Sequence, residues 1–250
     1  MPDSFAEVAG TPTTEQMLKR IEELGSFIEE SADDSEQEGH LTERLVDALH
    51  EAQLFRMLLP KPYNGLEVTP VTFMRSIEAV ARHDASTAWC LCQQNGCSMS
   101  AAIARPDVAA LIWGDDPRGA LAWGPGKATA VPVEGGYSVT CDLSFCSGMH
   151  NSTWLGAHCM VLENGEPQKD SSGKTTIRTM LIPKSEIEIS YTWDVIGLRA
   201  TGSDGYLLKD HFVPLEHSVI RDKEEELTYR TSLYLFRQTN LYACGFSGVA

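Results

Sequence analysis

The chain has 250 residues, 42% of them hydrophobic, and a formal net charge of −15. That length and apolar content give it a sizeable core in one large or two modest domains. The acidic balance argues against nucleic acid and anionic membrane as partners, and no run of about 18 apolar residues marks a membrane span.

In chain order, residues 1–12 read as a disordered start, without the basic and apolar segments of a signal peptide. Thr13 or Thr14 caps a first helix, in which Met17, Ile21, Leu24 and Ile28 repeat at spacings of three and four. The acidic run ADDSEQEGH is expected to break it. A second helix is predicted from about Thr42 to Phe55, ending at Leu59-Pro60, and the loop KPYNGLEVTP follows. Val71, Met74, Ile77, Val80 and Ala81 form the stripe of a third helix. Asp84 or Ser86 caps a fourth, mostly apolar one, and Asp107–Trp113 is a short fifth.

Near Gly119 the period changes from 3.6 to 2. ATAVPVEGGYSVTCDLSF reads as a hairpin turning at Glu134-Gly135-Gly136. Further strands are expected at about 154–162, 176–182, 186–192 and 206–213. After Pro214 a charged linker, RDKEEE, leads into a last apolar helical stretch. A lone apolar helix needs partners, so a further C-terminal helical domain is expected in the whole protein. The predicted domains are 13–117, helical; 118–220, β; and 221–250, a linker and the first helix of that further domain. The fold class is α+β, with an antiparallel barrel or sandwich in the middle.

The seven cysteines show no CxxC and no disulfide framework, which points to a reduced, cytoplasmic compartment. No Cys/His/carboxylate set suggests a metal. The stretch LSFCSGMHNSTWLG, residues 143–156, holds the chemical interest. Phe145 and Ser147 share strand parity, so a continued strand would end an apolar face in one hydroxyl beside Gly148. Such a surface suits a flat heteroaromatic ligand, with Phe145 giving area and Ser147 a hydrogen bond. An ordinary strand running into a Ser-Gly turn is the competing reading.

Three blocks lie in one order: LVDALHEAQLFRMLLPKPYNGLEVTPVTFMRSIEAVARHDASTAWC, PVEGGYSVTCDLSFCSGMHNSTWLGAHCMV and TWDVIGLRATGSDGYLLKDHFVPLEHSV. Together they resemble the acyl-CoA dehydrogenase-like flavoproteins, and in particular their two-component flavin-dependent monooxygenase and hydroxylase subgroup. The resemblance implies a flavin, FAD or FMN, with Ser147 at the reactive edge of the ring and Phe145 and Gly148 beside it. It places Ala122, Trp123 and Gly124 along the ring, their backbone donating to it. It puts Arg199 near the flavin and substrate entrance. Ser86 is read as a cap and Trp89 as packing.

The position where the family often carries a histidine is aligned with Cys97, which with Gln94 is a candidate to line a substrate pocket. His150 is the candidate base. His83, His158, His211 and His217 are read as structural or exposed. The implied activity is a monooxygenase using reduced flavin and dioxygen on a small aromatic or heterocyclic substrate. A flavin reductase is the implied partner, and the C-terminal bundle would build a homo-oligomer. Two alternatives stand beside it: an acyl-CoA dehydrogenase, and a fragment inactive without a separate C-terminal chain.

Overall fold

The computed structural model describes residues 10–250; the disordered start expected for residues 1–12 lies mostly outside them. Thr13 opens the first helix with a capping box: its hydroxyl accepts the Gln16 N–H while the Gln16 side chain accepts the Thr13 N–H. That helix, α1 (Thr14–Glu38), runs straight through the acidic run where a break was expected. The helical period persists there in small residues, because Ser31 and Ser35 face inward below Ile28 while the acids point outward. Gly39, at φ 74°, stops the helix in the left-handed conformation that glycine adopts without strain.

Thr42 caps α2 (Glu43–Glu51), which is shorter than predicted: Gln53 turns left-handed and a 3-10 turn, Leu54–Arg56, follows. Thr69 caps α3 (Pro70–Ala81), with Pro70 at the first helical position, where its missing N–H costs nothing. Asp84, and not Ser86, caps α4 (Ala85–Ser98), accepting the Thr87 N–H at 2.6 Å. A short α5 (Pro106–Ala109) continues as a π turn to Gly114. Met17, Ile21, Leu45, Leu49, Phe73, Ile77 and Leu91 meet in the helical core.

The strands are β1 (Leu121–Trp123), β2 (Gly126–Val133), β3 (Gly136–Leu143), β4 (Trp154–Glu163), β5 (Glu166–Pro167), β6 (Ile177–Pro183), β7 (Ile189–Ser190), β8 (Gly205–Pro214) and β9 (Ser218–Val219). They form one sheet in the order β7-β8-β3-β2-β4-β6-β9, with β1 and β5 paired to β4. The sheet is mixed rather than wholly antiparallel, since β1 and β2 both run parallel to β4. The predicted hairpin is β2–β3, joined at Glu134-Gly135. Along β4 the faces alternate. Leu155, Ala157, Cys159 and Val161 fill the β core, while Trp154 joins a second cluster shared with the helices.

The last stretch forms a 3-10 turn, Ser232–Leu235, and then the α-helix α6 (Gln238–Val249), which is not left without partners. It docks on α3 and α4 so closely that a Cβ at Gly245 would lie 2.3 Å from the Cys92 sulfur. Among the described residues no helix is long and apolar enough to cross a membrane.

Candidate active site

β3 ends at Leu143, four residues before Ser147, where the strand parity drawn from the sequence would carry it. Phe145 takes a left-handed conformation, φ 55°, and the Ser147 N–H closes a three-residue turn on the Phe145 carbonyl at 3.0 Å. Phe145 is therefore 59% exposed, not buried on the strand face. The turn is pinned from two sides. The Cys146 N–H donates to the Asp204 carbonyl and the Gly148 N–H to the Thr201 carbonyl. Gly148, at φ 76°, lies against Gln94 of α4, which a Cβ would meet at 3.0 Å.

This pinning aims the Ser147 hydroxyl into a cleft of about 580 Å³ between the sheet, α4 and α6. The walls are aromatic. Trp89 stacks on Phe246 at 5.1 Å, and Phe145 meets Trp193 edge-on at 5.4 Å. Trp123 meets His158 edge-on at 4.7 Å while the Arg221 guanidinium lies over its ring at 5.0 Å. The polar side chains are fewer: Ser147, with Ser203 and Thr201 behind it, and His158 on the sheet side, and Gln93, Thr239 and Tyr242 on the helices. Burial and the Arg221 charge push His158 down to about 3, so it is neutral at physiological pH. Its Nδ1 lies 2.8 Å from the Thr179 hydroxyl. That hydroxyl has no other acceptor, so it donates to Nδ1, and the neutral ring carries its proton on Nε2, as a donor.

Residues 11–106 match the model of the acyl-CoA dehydrogenase N-terminal domain. The oxygenase subunit HsaA of a flavin-dependent monooxygenase from Mycobacterium tuberculosis is 31% identical over 202 residues, covering 80% of this chain and 49% of that protein. Its crystal structure superposes with a TM-score of 0.76 at 28% identity, over 84% of this chain and 54% of that one. The fold is that of the acyl-CoA dehydrogenase-like monooxygenases. An indole-3-acetate monooxygenase from Pseudomonas putida is 26% identical over 226 residues, 88% of this chain and 54% of that enzyme. XiaF from Streptomyces sp., solved in complex with FADH2 and glycerol, superposes with a TM-score of 0.81 at 25% identity, over 92% of this chain and 58% of that one. The chain spans about half the length of the curated relatives it matches.

Of the residues singled out in the sequence, the fold brings Trp123, Gly124, Phe145 and Ser147 to the cleft wall. The others lie behind or beside it. Ala122 is buried in β1, opposite Leu155. Trp123 lies in β1, in register with Gly156 of β4. Cys97 is fully buried against the Tyr242 hydroxyl at 3.2 Å and pushed up to about 12 by that burial, so it does not face a substrate. Gln94 braces the turn, donating to the Gly148 carbonyl and the Ser152 hydroxyl and accepting from Asn151. Arg199 sits outside, on Glu36, Asp194 and the Val195 carbonyl. His150 stacks on His40 and is held by Asp204, away from the cleft lining.

Two cleft residues were read in the sequence with other roles. Trp89 is more than packing, since its Nε1 donates to the Ser147 hydroxyl at 2.9 Å. His158 had a usable signal: in WLGAHCMV it shares parity with Trp154 and Gly156, the face opposite the β core.

Proposed function

We propose that the whole protein is the oxygenase component of a two-component flavin-dependent monooxygenase acting on a small aromatic or heterocyclic substrate. The cleft carries this reading. Its aromatic walls fit a flat ring, and its few polar side chains, the Ser147 hydroxyl and the His158 imidazole among them, leave recognition to a small number of directed hydrogen bonds. The relatives support it: HsaA is named an oxygenase subunit, the Pseudomonas enzyme an indole-3-acetate monooxygenase, and XiaF holds FADH2.

The flavin is FAD or FMN, and bound in reduced form it supplies the electrons that activate dioxygen. Trp89, Trp123 and Phe246 exclude water from the ring and Ser147 orients its edge. His158 hydrogen-bonds an oxygen or ring nitrogen of flavin or substrate without taking up charge. The proposed partners are a flavin reductase and further copies of the same chain, joined through a C-terminal helical domain. Within this reading residues 13–117 form a helical domain, 118–220 a β domain, and 221–250 lead toward that C-terminal domain. Six buried, unpaired thiols support a cytoplasmic setting.

The test supplies the full-length protein with chemically reduced FAD or FMN, 18O2 and a panel of phenols and indoles. Label found in an organic product by mass spectrometry is the expected result. Failure to bind either flavin, or anaerobic reduction of bound flavin by an acyl-CoA, overturns the proposal.

A further inference from the structure

Three hydroxyls at the cleft floor are linked in series. Ser147 Oγ lies 2.7 Å from Ser203 Oγ, which lies 2.6 Å from Thr201 Oγ1. All three are buried, with 6%, 2% and 1% exposure for Ser147, Ser203 and Thr201. Each carries a single proton, so the question is which way the row points. Both ends answer it. At one end Thr201 Oγ1 lies 2.8 Å from the Leu198 carbonyl, which can only accept, so the Thr201 proton is committed there. Thr201 must then accept from Ser203, and Ser203, its proton spent, must accept from Ser147. At the other end the Trp89 indole N–H, which can only donate, points at Ser147 Oγ at 2.9 Å and so agrees with that direction.

Ser147 therefore uses its proton inward and one lone pair on Trp89. What remains toward the cleft is one lone pair and no proton. A ligand atom seated on Ser147 is met by an acceptor. In flavin chemistry N3 bears a proton in both the oxidised and the fully reduced ring, whereas N5 accepts in the oxidised ring and donates in the reduced one. N1 gains a proton only when the reduced ring is neutral, so N5 is the ring atom through which a one-sided acceptor discriminates between the two forms whatever the charge of the reduced ring.

We propose that Thr201 and Ser203 are positioning residues that hold Ser147 as a hydrogen-bond acceptor, so that the cleft selects N5-protonated, reduced flavin over oxidised flavin. The proposal rests on the flavin reading above and adds to it the residues that set the preference. Breaking the row at either inner member releases the Ser147 proton. In Ser203→Ala it has nowhere else to go. In Thr201→Val the Ser203 proton loses its acceptor and turns back to Ser147. In both variants Ser147 gains the ability to donate to oxidised N5.

The experiment measures dissociation constants of oxidised and dithionite-reduced FMN and FAD, anaerobically, on the full-length protein and its variants, together with the midpoint potential of the bound flavin. Wild type is expected to bind the reduced form more tightly. Ser203→Ala and Thr201→Val are expected to cut the ratio of the two constants by roughly 2- to 10-fold, the worth of one hydrogen bond, and to lower the potential of bound flavin in step. Thr201→Ser, which keeps the hydroxyl, is expected to keep the ratio. A ratio unchanged in both disruptive variants, whether the affinities hold or fall together, overturns the assignment while leaving the flavin site standing. A wild type that binds both forms equally also overturns it, because N5 then does not meet Ser147. A wild type that binds neither form overturns the flavin reading and this inference with it.

Discussion

His150 and His158 lie eight residues apart and flank the same stretch of chain, yet they belong to opposite sides of it. His150 follows Ser147 by three positions but sits behind the turn, its Nε2 2.8 Å from Asp204 Oδ2 and its ring stacked on His40 at 4.8 Å. His158 lies farther along, on the face of β4 that meets the cleft, with a hydroxyl for its partner. Burial lowers both. For His150 the Asp204 hydrogen bond pulls the other way, while for His158 the Arg221 charge adds to the lowering. A carboxylate partner makes His150 a clamp for the loop. A hydroxyl partner in a dry wall makes His158 a neutral donor. Closeness in sequence to Ser147 was the wrong guide to which histidine lines the cleft.

The largest effect is expected where the clamp is cut. Asp204 is 6% exposed and its other oxygen accepts the Thr192 and Trp193 N–H groups at 2.6 and 2.8 Å. Burial works against its charged form, yet His150 and those two N–H groups outweigh it and hold the carboxyl below its usual range. Asp204→Ala strands three donors at once and is expected to cost about 2–4 kcal/mol in urea unfolding. His150→Ala, which leaves the two backbone bonds intact, is expected to cost about 1–2 kcal/mol and to change flavin affinity little. If His150→Ala left stability untouched and abolished flavin binding, the two histidines would have to exchange roles.

The same contrast explains how much could be read before the structure. The helices and the β2–β3 hairpin were legible because apolar period and caps agree locally, as at Thr13, Thr42 and Thr69. The continuation of α1 was missed because Ser31 and Ser35 occupy inward positions where a hydrophobic residue is expected. At the site, Ser147, Phe145 and Trp123 were found because they fall on one short segment or one matched motif. The Trp89–Ser147–Ser203–Thr201 row was not, because its neighbours are up to 58 positions apart and only the tertiary fold joins them. Phe145 misled because a left-handed residue breaks strand parity, and nothing in the sequence marks that break.

A smaller effect comes from His158, and it depends on pH. Its folded value of about 3 lies below the ordinary 6.5, so the unfolded chain binds the proton more readily. The stability it contributes is complete above about pH 6.5 and drains away as pH falls from there toward 3. Asp204 adds a separate loss that begins only near its unfolded value, about 3.9, and proceeds as pH falls through its lower folded one. Between about pH 6.5 and 4.5 the His158 contribution is thus separable from that of Asp204. His158→Gln is expected to flatten the decline of the urea midpoint over that window. An unchanged slope would mean that the ring is already charged or solvated in the folded protein, and its place as a neutral donor in the wall would fall.

The smallest effect is expected at Arg199, and it tests where the wall ends. Its guanidinium lies 3.5 Å from Glu36 and 3.7 Å from Asp194, and donates to the Val195 carbonyl at 2.9 Å. The side chain is 43% exposed, so water screens both pairs and each is worth at most a fraction of a kcal/mol. Arg199→Ala is therefore expected to change stability by no more than about 0.5 kcal/mol, with that difference shrinking further in high salt. Flavin affinity is expected to stay the same, because the group lies outside the cleft lining. A tenfold weaker flavin or substrate in Arg199→Ala would place the guanidinium in contact with the ligand. The loop that carries both Trp193 and Arg199 would then close over the cleft, and the boundary between wall and rim would shift to include it.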